Sequence, residues 1–396
     1  MGNINEPAGY AGLQPLFPKN ISMSQTTGRL KKLRQLGQSP WYDNIDRRLI
    51  ENGELKGLID LGILGVTSNP SIFEKAVASS TVYDAKIKRL KDEGRDVYGI
   101  YDELTADDVR DAADLLKGVY EATGGEDGYV SIEVLPKYAN DAYETIEYAR
   151  RIFKKVGRPN VMIKVPGTAQ APEAVRALIG EGISVNVTLI FSQKQYELAA
   201  QAYQDGLRDR MRLGQDLSGI ASVASIFVSR IDTKVDGLLD IFAMREMDLE
   251  KKTKLQELRG KVAIANCKLI YQRFLQLFAD ERFGDLKEKG GRIQRPLWAS
   301  TSAKNPNYSD CLYVDNLIGP NTVNTMPHPT VLAYEDHGRL ILSLDSNLEV
   351  AAVCRAKIEQ EGINLDEVCR EAQAEGLKAF VNSFESMLKT LEQKMK

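Results

Sequence analysis

A single lysine lies inside a strongly apolar segment, and its chemistry is the sharpest functional signal in the chain. Lys164 stands in VMIKVPGT at residues 161–168, where nearly every neighbour is apolar. Taking a lysine ammonium out of water costs several kcal/mol. A neutral amine, in turn, is the nucleophile that forms a Schiff base with a carbonyl substrate. The local sequence leaves three roles open for Lys164: a Schiff-base nucleophile, a structural partner of Glu133, or a surface lysine on an edge strand.

Other apolar segments also carry polar side chains within them or at their ends. These side chains are Thr67, Ser68, Asn69, Glu133, Asn186, Thr188, Ser225 and Ser302. Turn chemistry explains polar residues that follow a strand, but it does not explain a charged residue within one. In a barrel, inward side chains near the carboxyl ends of the strands face a common pocket. The set therefore predicts one polar pocket that includes Lys164.

The elements that would position this pocket are eight short apolar segments separated by amphipathic ones. The segments are residues 41–45, 63–69, 129–135, 161–167, 183–191, 220–231, 296–302 and 322–327. Near-continuous apolar strands between helices indicate a parallel sheet that is buried on both faces. Eight of them predict an α/β fold of the (β/α)8 TIM-barrel type with additional helices. A doubly wound open sheet is the alternative, but its usual glycine-rich first turn is missing.

Pairs of the S-x-x-E type predict where several helices begin. The pairs are Ser71 with Glu74, Thr105 with Asp108, Ser192 with Gln195, and Ser346 with Glu349. In each pair the first side chain accepts a hydrogen bond from the backbone of the third helical residue, and a polar partner stands three residues on. We therefore expect helices to start at these four points.

The predicted domain organisation is one barrel domain over residues 28–396 behind a loose N-terminal tail, residues 1–27. The tail is rich in Gly, Pro, Asn, Ser and Thr, a composition that buries little apolar surface. Two regions are predicted as helical additions to the barrel: an insertion near residues 240–283 and C-terminal helices over 346–396. The last helix carries an apolar stripe, which predicts a core-facing or lid-like face. The stripe consists of Leu377, Phe380, Phe384, Leu388 and Leu391.

Composition excludes several functional classes. The chain has 396 residues, of which 43% are hydrophobic and 27% charged, as is ordinary for a globular protein. A net charge of −3 provides no electrostatic surface for nucleic acid or an anionic membrane. No apolar segment is long enough to span a bilayer, and the N-terminus lacks the pattern of a signal peptide. These features predict a cytoplasmic protein.

The sequence also predicts that no metal or organic cofactor takes part. Cysteines stand at 267, 311, 354 and 369 and histidines at 328 and 337, without a C-x-x-C or H-E-x-x-H motif. This scatter argues against a zinc site and favours reduced thiols packed as small apolar groups. Neither the P-loop pattern nor G-x-G-x-x-G occurs, so nothing indicates a nucleotide cradle.

Five motifs at the strand ends resemble those of transaldolases: GVTSNPSIF, SIEV, IKVPGT, NVTLIFS and SIFVSRID, in the same order. The segments LWASTSAKNPNYSD and NTMP resemble the longer bacterial type of this family in particular. The resemblance covers roughly residues 28–396. It implies a (β/α)8 barrel that moves a dihydroxyacetone unit between sugar phosphates in the non-oxidative pentose phosphate pathway. It also implies that no metal or organic cofactor is needed.

The resemblance assigns catalytic roles to four residues. Lys164 matches the lysine that forms the Schiff base. Glu133 matches the carboxylate that works with Thr188 through a water molecule during imine formation. Asp43 in WYDNID matches the acid/base that takes the proton of the C4 hydroxyl, but the short match leaves Asp46 as an alternative.

The resemblance also assigns substrate-binding roles. The matching residues are Asn69, Asn186 and Ser225 for the dihydroxyacetone hydroxyls, Thr67 beside them, Phe227 as an aromatic wall, and Arg230 for phosphate. One departure concerns Ser302 and Lys304, since the shorter enzymes carry arginine where this chain has Lys304. Lysine also binds phosphate, but as a point charge, whereas the arginine guanidinium can donate two parallel hydrogen bonds. The geometry of phosphate binding is therefore open at this position.

Two rival functions remain at this point. A fructose-6-phosphate-type aldolase on the same barrel would release dihydroxyacetone, but such aldolases tend to carry Tyr in place of Phe227 and Gln in place of Glu133. A non-catalytic binding scaffold would not need Lys164 and Glu133 inside strands. The expected partners are small-molecule sugar phosphates. The oligomeric state is open, with a homodimer as one alternative.

Overall fold

Eight parallel strands form a closed barrel in the computed structural model, which describes residues 28–396. Each strand pairs with the next in chain order, and the last pairs with the first. The strands are β1 Gln38–Tyr42, β2 Val66–Thr67, β3 Val130–Glu133, β4 Val161–Pro166, β5 Val185–Ile190, β6 Ser222–Phe227, β7 Gln294–Ala299 and β8 Thr322–Met326. The predicted (β/α)8 fold is confirmed. The tail predicted for residues 1–27 lies outside the described residues.

Helices follow every strand and cover the outside of the barrel. They are α1 Arg29–Gln35, α2 Arg47–Glu51, α3 Glu54–Leu61, α4 Pro70–Ala78, α5 Asp84–Asp92, α6 Val97–Ala122, α7 Ala142–Val156, α8 Ala171–Gly180, α9 Gln193–Arg212, α10 Ser229–Arg245, α11 Leu249–Gln256, α12 Val262–Leu277, α13 Asp280–Glu288, α14 Leu312–Asn316, α15 His328–His337, α16 Leu348–Gln360 and α17 Leu365–Lys394, with a short 3-10 helix at Pro136–Tyr138. No helix of residues 28–396 is long and apolar enough to cross a membrane.

The strands are buried on both faces, which explains why the sequence shows apolar runs rather than alternation. All six residues of β4 and of β5 are buried. Side chains as large as Trp41 and Trp298, each on a barrel strand, have no exposed surface. A Cβ atom at Gly65 would lie 2.5 Å from the Trp41 ring, so only glycine fits beside it.

A polar layer lies in the barrel near the amino ends of the strands. The Arg295 guanidinium pairs with Asp127 at 3.0 Å and donates to the Ser39 hydroxyl. Burial of a charge requires such pairing. Two strands begin earlier than predicted. The expected starts at residues 41 and 296 were wrong because β1 and β7 begin with buried polar residues, at Gln38 and Gln294.

Of the predicted capping pairs, the one at Ser192 is confirmed. Ser192 accepts from the Gln195 backbone, and the Gln195 side chain accepts from the Ser192 backbone in return. The pair at Ser71 is wrong, because Asn69 already caps α4 by accepting from the Ile72 backbone. The Ser71 hydroxyl lies 2.7 Å from the hydroxyl of Ser383 on α17 instead.

Two further capping predictions are also wrong. Thr105 lies inside α6 and donates to the Tyr101 carbonyl, since the helix begins earlier, where Asp96 accepts from the Gly99 backbone. Before α16, Asn347 occupies the cap position in a left-handed conformation, without a capping hydrogen bond from its side chain. The Ser346 hydroxyl donates to the Ser343 carbonyl rather than accepting from the helix.

The final helix, α17, packs against α4, which follows the strand that carries Thr67. Its apolar stripe is largely buried, with Phe384 in an edge-to-face contact with Tyr101 at 5.1 Å between ring centroids. The Ser386 hydroxyl donates to Glu74 of α4. The C-terminal helix is therefore held against the loops that follow the strands.

Candidate active site

A cavity of about 340 Å³ opens at the carboxyl ends of the strands. The predicted site residues that line it are Asp43, Thr67, Asn69, Lys164, Ser225, Phe227, Arg230, Ser302 and Lys304. They belong to five different strands or to the loops and helix starts that follow them, and parallel pairing brings those strand ends together. A larger cavity of about 480 Å³ is bordered by residues of α2, α5 and α6, and none of the predicted site residues lines it.

The ammonium of Lys164 lies at the floor of this cavity. It donates to the Ser68 carbonyl at 2.9 Å and lies 3.6 Å from a carboxylate oxygen of Glu133. Both side chains are almost fully buried, and the two residues are directly paired across β3 and β4. The edge-strand alternative for Lys164 is therefore wrong, because β4 has a neighbour on each side.

Glu133 is a buried carboxyl that is a weaker acid than an ordinary glutamate. Burial raises its pKa to about 7, against the opposing effect of the Lys164 ammonium. Neither carboxyl oxygen has a hydrogen-bond partner among the groups of residues 28–396, and the same holds for the Thr188 hydroxyl. A carboxyl with a pKa near neutrality can both accept and donate a proton at physiological pH.

The structure distinguishes between the two candidate aspartates. Asp43 directly follows β1 and lines the cavity, where it accepts a 2.7 Å hydrogen bond from the Thr67 hydroxyl. Burial raises the pKa of Asp43, whereas the Lys164 ammonium and the Thr67 hydroxyl lower it. Asp46 instead caps α2 and pairs with Arg48. Asp43 is thus the aspartate that can reach a bound molecule.

Asn186 and Ser225 form one hydrogen-bonded unit beside the lysine. The Ser225 hydroxyl donates to the Asn186 side-chain oxygen at 2.7 Å, and the Asn186 amide donates to Ser131 at 3.1 Å. Strand pairing places Asn186 directly beside Lys164. Ser225 lines the cavity, whereas Asn186, Glu133 and Thr188 are not among its lining residues.

Besides Lys164, three cationic side chains line the cavity, and one of them was not predicted from the sequence. Arg230, Lys304 and Lys75 all line it. Burial lowers the pKa of Lys304, and the charges of Arg230 and Lys75 lower it further. The Lys304 ammonium donates to the Ser302 hydroxyl at 2.6 Å. Positive charges gathered in this way favour an anion such as a phosphate group.

Phe227 forms an apolar part of the cavity wall. Its ring packs 5.3 Å from the ring of Phe191, and the Arg230 guanidinium lies over it at 5.2 Å. The resulting site combines a buried amine, two carboxyls of raised pKa, neutral hydrogen-bonding groups and an anion-binding end. Such a site can form an imine with a phosphorylated carbonyl compound.

Comparison with known proteins identifies the family. The family model described as transaldolase/fructose-6-phosphate aldolase matches residues 40–391. The chain belongs to this family. A protein of Trichodesmium erythraeum named transaldolase is 47% identical over 373 residues, covering 93% of this chain and 98% of that protein. One from Nostoc punctiforme, named transaldolase 2, is 45% identical over 94% of this chain and 98% of its own length.

A transaldolase of Mycolicibacterium smegmatis is 44% identical over 91% of this chain and 95% of that protein. These relatives cover nearly the whole chain, so the predicted membership of the transaldolase family is confirmed. The family model itself spans both transaldolases and fructose-6-phosphate aldolases. The roles of individual residues in the site stay predictions.

Several residues that line the cavity were not predicted as site residues from the sequence. They are Ser71, Lys75, Ser300, Thr325 and Phe380. The NTMP segment gave a signal for Thr325, whose hydroxyl lies 2.6 Å from that of Thr67. Phe380 of α17 belongs to the apolar stripe predicted as a core-facing or lid-like face, but the pattern did not indicate that it lines this cavity.

One group of side chains among residues 28–396 has the composition of a metal site. Asp310, Cys311 and His337 place their ligand atoms within 4.8 Å of one another. None of them lines the cavity, and His337 pairs with Asp310 at 2.9 Å. The prediction that the reaction needs no metal or organic cofactor stays a prediction.

Proposed function

We propose that the protein is a transaldolase that works through a Schiff base on Lys164. It takes a dihydroxyacetone unit from sedoheptulose 7-phosphate or fructose 6-phosphate. It passes the unit to glyceraldehyde 3-phosphate or erythrose 4-phosphate. The observation that carries the proposal is the Lys164 amine, buried beside Glu133 at the floor of a cavity that is cationic elsewhere.

Imine formation is the first step. The amine of Lys164 attacks the ketose carbonyl, and the carbinolamine then loses its oxygen as water. Both changes move protons, and Glu133 with a pKa near 7 is suited to move them. A water molecule between Glu133 and Thr188 would bind hydrogen-bonding groups that have no partner within residues 28–396.

Cleavage and transfer follow on the iminium. Asp43 takes the proton of the C4 hydroxyl, the C3–C4 bond breaks, and its electrons enter the iminium to form an enamine. The aldose phosphate leaves, and the enamine carbon then attacks the carbonyl of the acceptor. Asp43 returns the proton to the new hydroxyl, and water releases the product from Lys164.

Substrate binding uses the remaining groups. Asn69, Asn186 and Ser225 would bind the hydroxyls of the dihydroxyacetone unit. Arg230 and Lys304 would bind the phosphate, since charge-assisted bonds to oxyanions are the strong ones. Arg230 has no carboxylate within salt-bridge distance among residues 28–396, so a phosphate would not have to displace one.

The cytoplasm and the non-oxidative pentose phosphate pathway are the proposed setting. All four cysteines are free and buried, which suits a reducing compartment. A homodimer also stays a proposal. An aldolase that releases dihydroxyacetone is the rival function, and Phe227 and Glu133 favour transfer over release.

Borohydride trapping tests the central step. Fructose 6-phosphate and borohydride should attach a reduced adduct to Lys164 in the parent protein and none in Lys164→Met. Lys268→Met is the matched control, because Lys268 is also buried but binds the carbonyls of Ser343 and Ser346. Peptide mapping by mass spectrometry locates the adduct. An adduct that persists in Lys164→Met would refute the assignment.

Product analysis separates transfer from release. With fructose 6-phosphate alone, a transaldolase should release little free dihydroxyacetone, whereas added erythrose 4-phosphate should give sedoheptulose 7-phosphate. Release at the same rate with and without the acceptor would favour the aldolase instead.

A further inference from the structure

The strand that carries Asn186 and Thr188 is irregular beside the lysine. Two residues of β5, Thr188 and Leu189, lie opposite one residue of β6, Ser225, which makes a β-bulge. Leu189 has a φ of 57°, a left-handed conformation that is unfavourable for a residue with a branched side chain. Bulges of this kind re-aim side chains next to active sites. The Thr188 side chain therefore depends on whatever holds the bulge.

A side chain from the C-terminal helix holds it. The Gln373 amide on α17 donates to the Leu189 carbonyl at 2.9 Å and to the Gly167 carbonyl at 2.7 Å. Gly167 in turn donates its backbone N–H to the Thr188 carbonyl at 2.6 Å. One amide thus ties together the ends of the strand with Lys164 and the strand with Thr188.

The helix approaches this point closely because it carries a glycine there. A Cβ atom at Gly376 would lie 2.9 Å from the Leu189 side chain and 3.0 Å from the Arg230 guanidinium. Gly376 lies one turn after Gln373 on the same helix. The close approach fixes the distance between the Gln373 backbone and the bulge, so that its side chain reaches both carbonyls.

We propose that Gln373 is a positioning residue, whose amide fixes the β5 bulge and so holds the Thr188 hydroxyl in place for imine formation. The inference rests on the proposed function, since it takes Thr188 to act with Glu133. Gln373 itself does not line the cavity, so it acts through the backbone of Leu189 and Gly167 rather than on the substrate.

A double-mutant cycle tests this role. The rate of imine formation is measured by single-turnover borohydride trapping in the parent, Gln373→Met, Thr188→Val and the double variant. We expect Gln373→Met to lower the rate about 10- to 100-fold, as displacement of a catalytic group does, with KM changed less than about threefold. In the Thr188→Val background the same substitution should change the rate less than about twofold. Lys378→Met, at an exposed position on the same helix, is the matched control.

Three results would overturn the inference. Equal losses in both backgrounds would mean that Gln373 supports the site as a whole rather than Thr188. A parental rate in Gln373→Met would mean that its hydrogen bonds do not position anything. A parental rate in Thr188→Val would remove the group that Gln373 is proposed to position, while trapping on Lys164 would still support the proposed function. Should Gln373→Met not fold, Gln373→Glu keeps the side-chain length and enters the same cycle.

Discussion

Lys164→Ala is expected to extend the pH range over which stability falls, because it removes the ammonium that lies 3.6 Å from the buried Glu133 carboxyl. In the parent protein burial raises the pKa of Glu133 to about 7, and the Lys164 ammonium opposes this rise from 3.6 Å. Without the ammonium, the remaining influences on Glu133 are burial and the charge of Asp43, which both raise its pKa. The pKa of Glu133 should therefore be higher in the variant than in the parent.

The sign and size of the effect follow from proton linkage. An unfolded glutamate has a pKa of about 4.3. Between that pH and the pKa in the folded state, the unfolded chain has lost a proton that the folded chain still binds. The free energy of unfolding then falls by about 1.4 kcal/mol for each pH unit as the pH rises. In the parent this loss ends near pH 7, whereas in Lys164→Ala it continues above it.

The assay compares Lys164→Ala with Lys164→Ala/Glu133→Gln, which has nearly the same shape but no ionisable group at 133. Urea unfolding is measured at about pH 7 and pH 8.5. Over this interval the single variant should lose up to about 2 kcal/mol more than the double variant. Asp43 titrates in both proteins and its effect largely cancels. Equal pH dependence in the two variants would refute the coupling between Lys164 and Glu133.

Three further predictions concern turnover. Arg230→Ala and Lys304→Ala should each raise KM for phosphorylated substrates about 10- to 100-fold, because a charge-assisted contact is lost. KM for unphosphorylated analogues should rise much less. Equal effects on both classes of substrate would indicate a structural role. Asp43→Asn should lower kcat about 10²- to 10⁴-fold while borohydride trapping persists. Phe227→Tyr should lose transfer and gain release of dihydroxyacetone without an acceptor, which product analysis measures; an unchanged partition would refute a protective role.

The upper part of the barrel could be predicted from the sequence because polar groups stand out in apolar strands. Lys164 and Glu133 interrupt segments that are otherwise apolar; Lys164 lines the cavity, and Glu133 is buried beside it. The pairing of β3 with β4 sets them directly side by side. A pattern of this kind needs no long-range information beyond the closure of the barrel.

The lower part of the barrel could not be predicted in the same way. Gln38 and Gln294 begin their strands with polar side chains, and so they look like loop residues in the sequence. Their burial depends on partners far along the chain: the Gln38 amide donates to the Leu317 carbonyl and the Gln294 amide to the Ser222 hydroxyl. Hydrogen bonds between distant residues leave no periodic signal.

The same limitation applies to the side chains that helix α17 places at or near the site. Phe380 and Gln373 lie on a helix that follows the last strand, and amphipathic spacing indicated only that the helix has a buried face. Which strand ends that face would meet is decided by packing against α4 and by the close approach at Gly376. The central residues of the site could therefore be predicted from the sequences of single strands, whereas the residues of α17 are placed by tertiary contacts.

The proposed function links phosphate binding to protection of the enamine through two residues that are in contact, Arg230 and Phe227. The Arg230 guanidinium lies over the Phe227 ring, so a phosphate held by Arg230 would stand next to the apolar wall. That wall faces the cavity that contains the Lys164 amine, and a phenyl ring neither donates a proton to an enamine nor orders a water molecule. An acceptor whose phosphate binds to Arg230 would thus lie next to the Phe227 ring, which would shield the enamine from water. In the proposed mechanism, Arg230 would bind the phosphate of the acceptor and Phe227 would shield the enamine, so that together they would favour transfer over release.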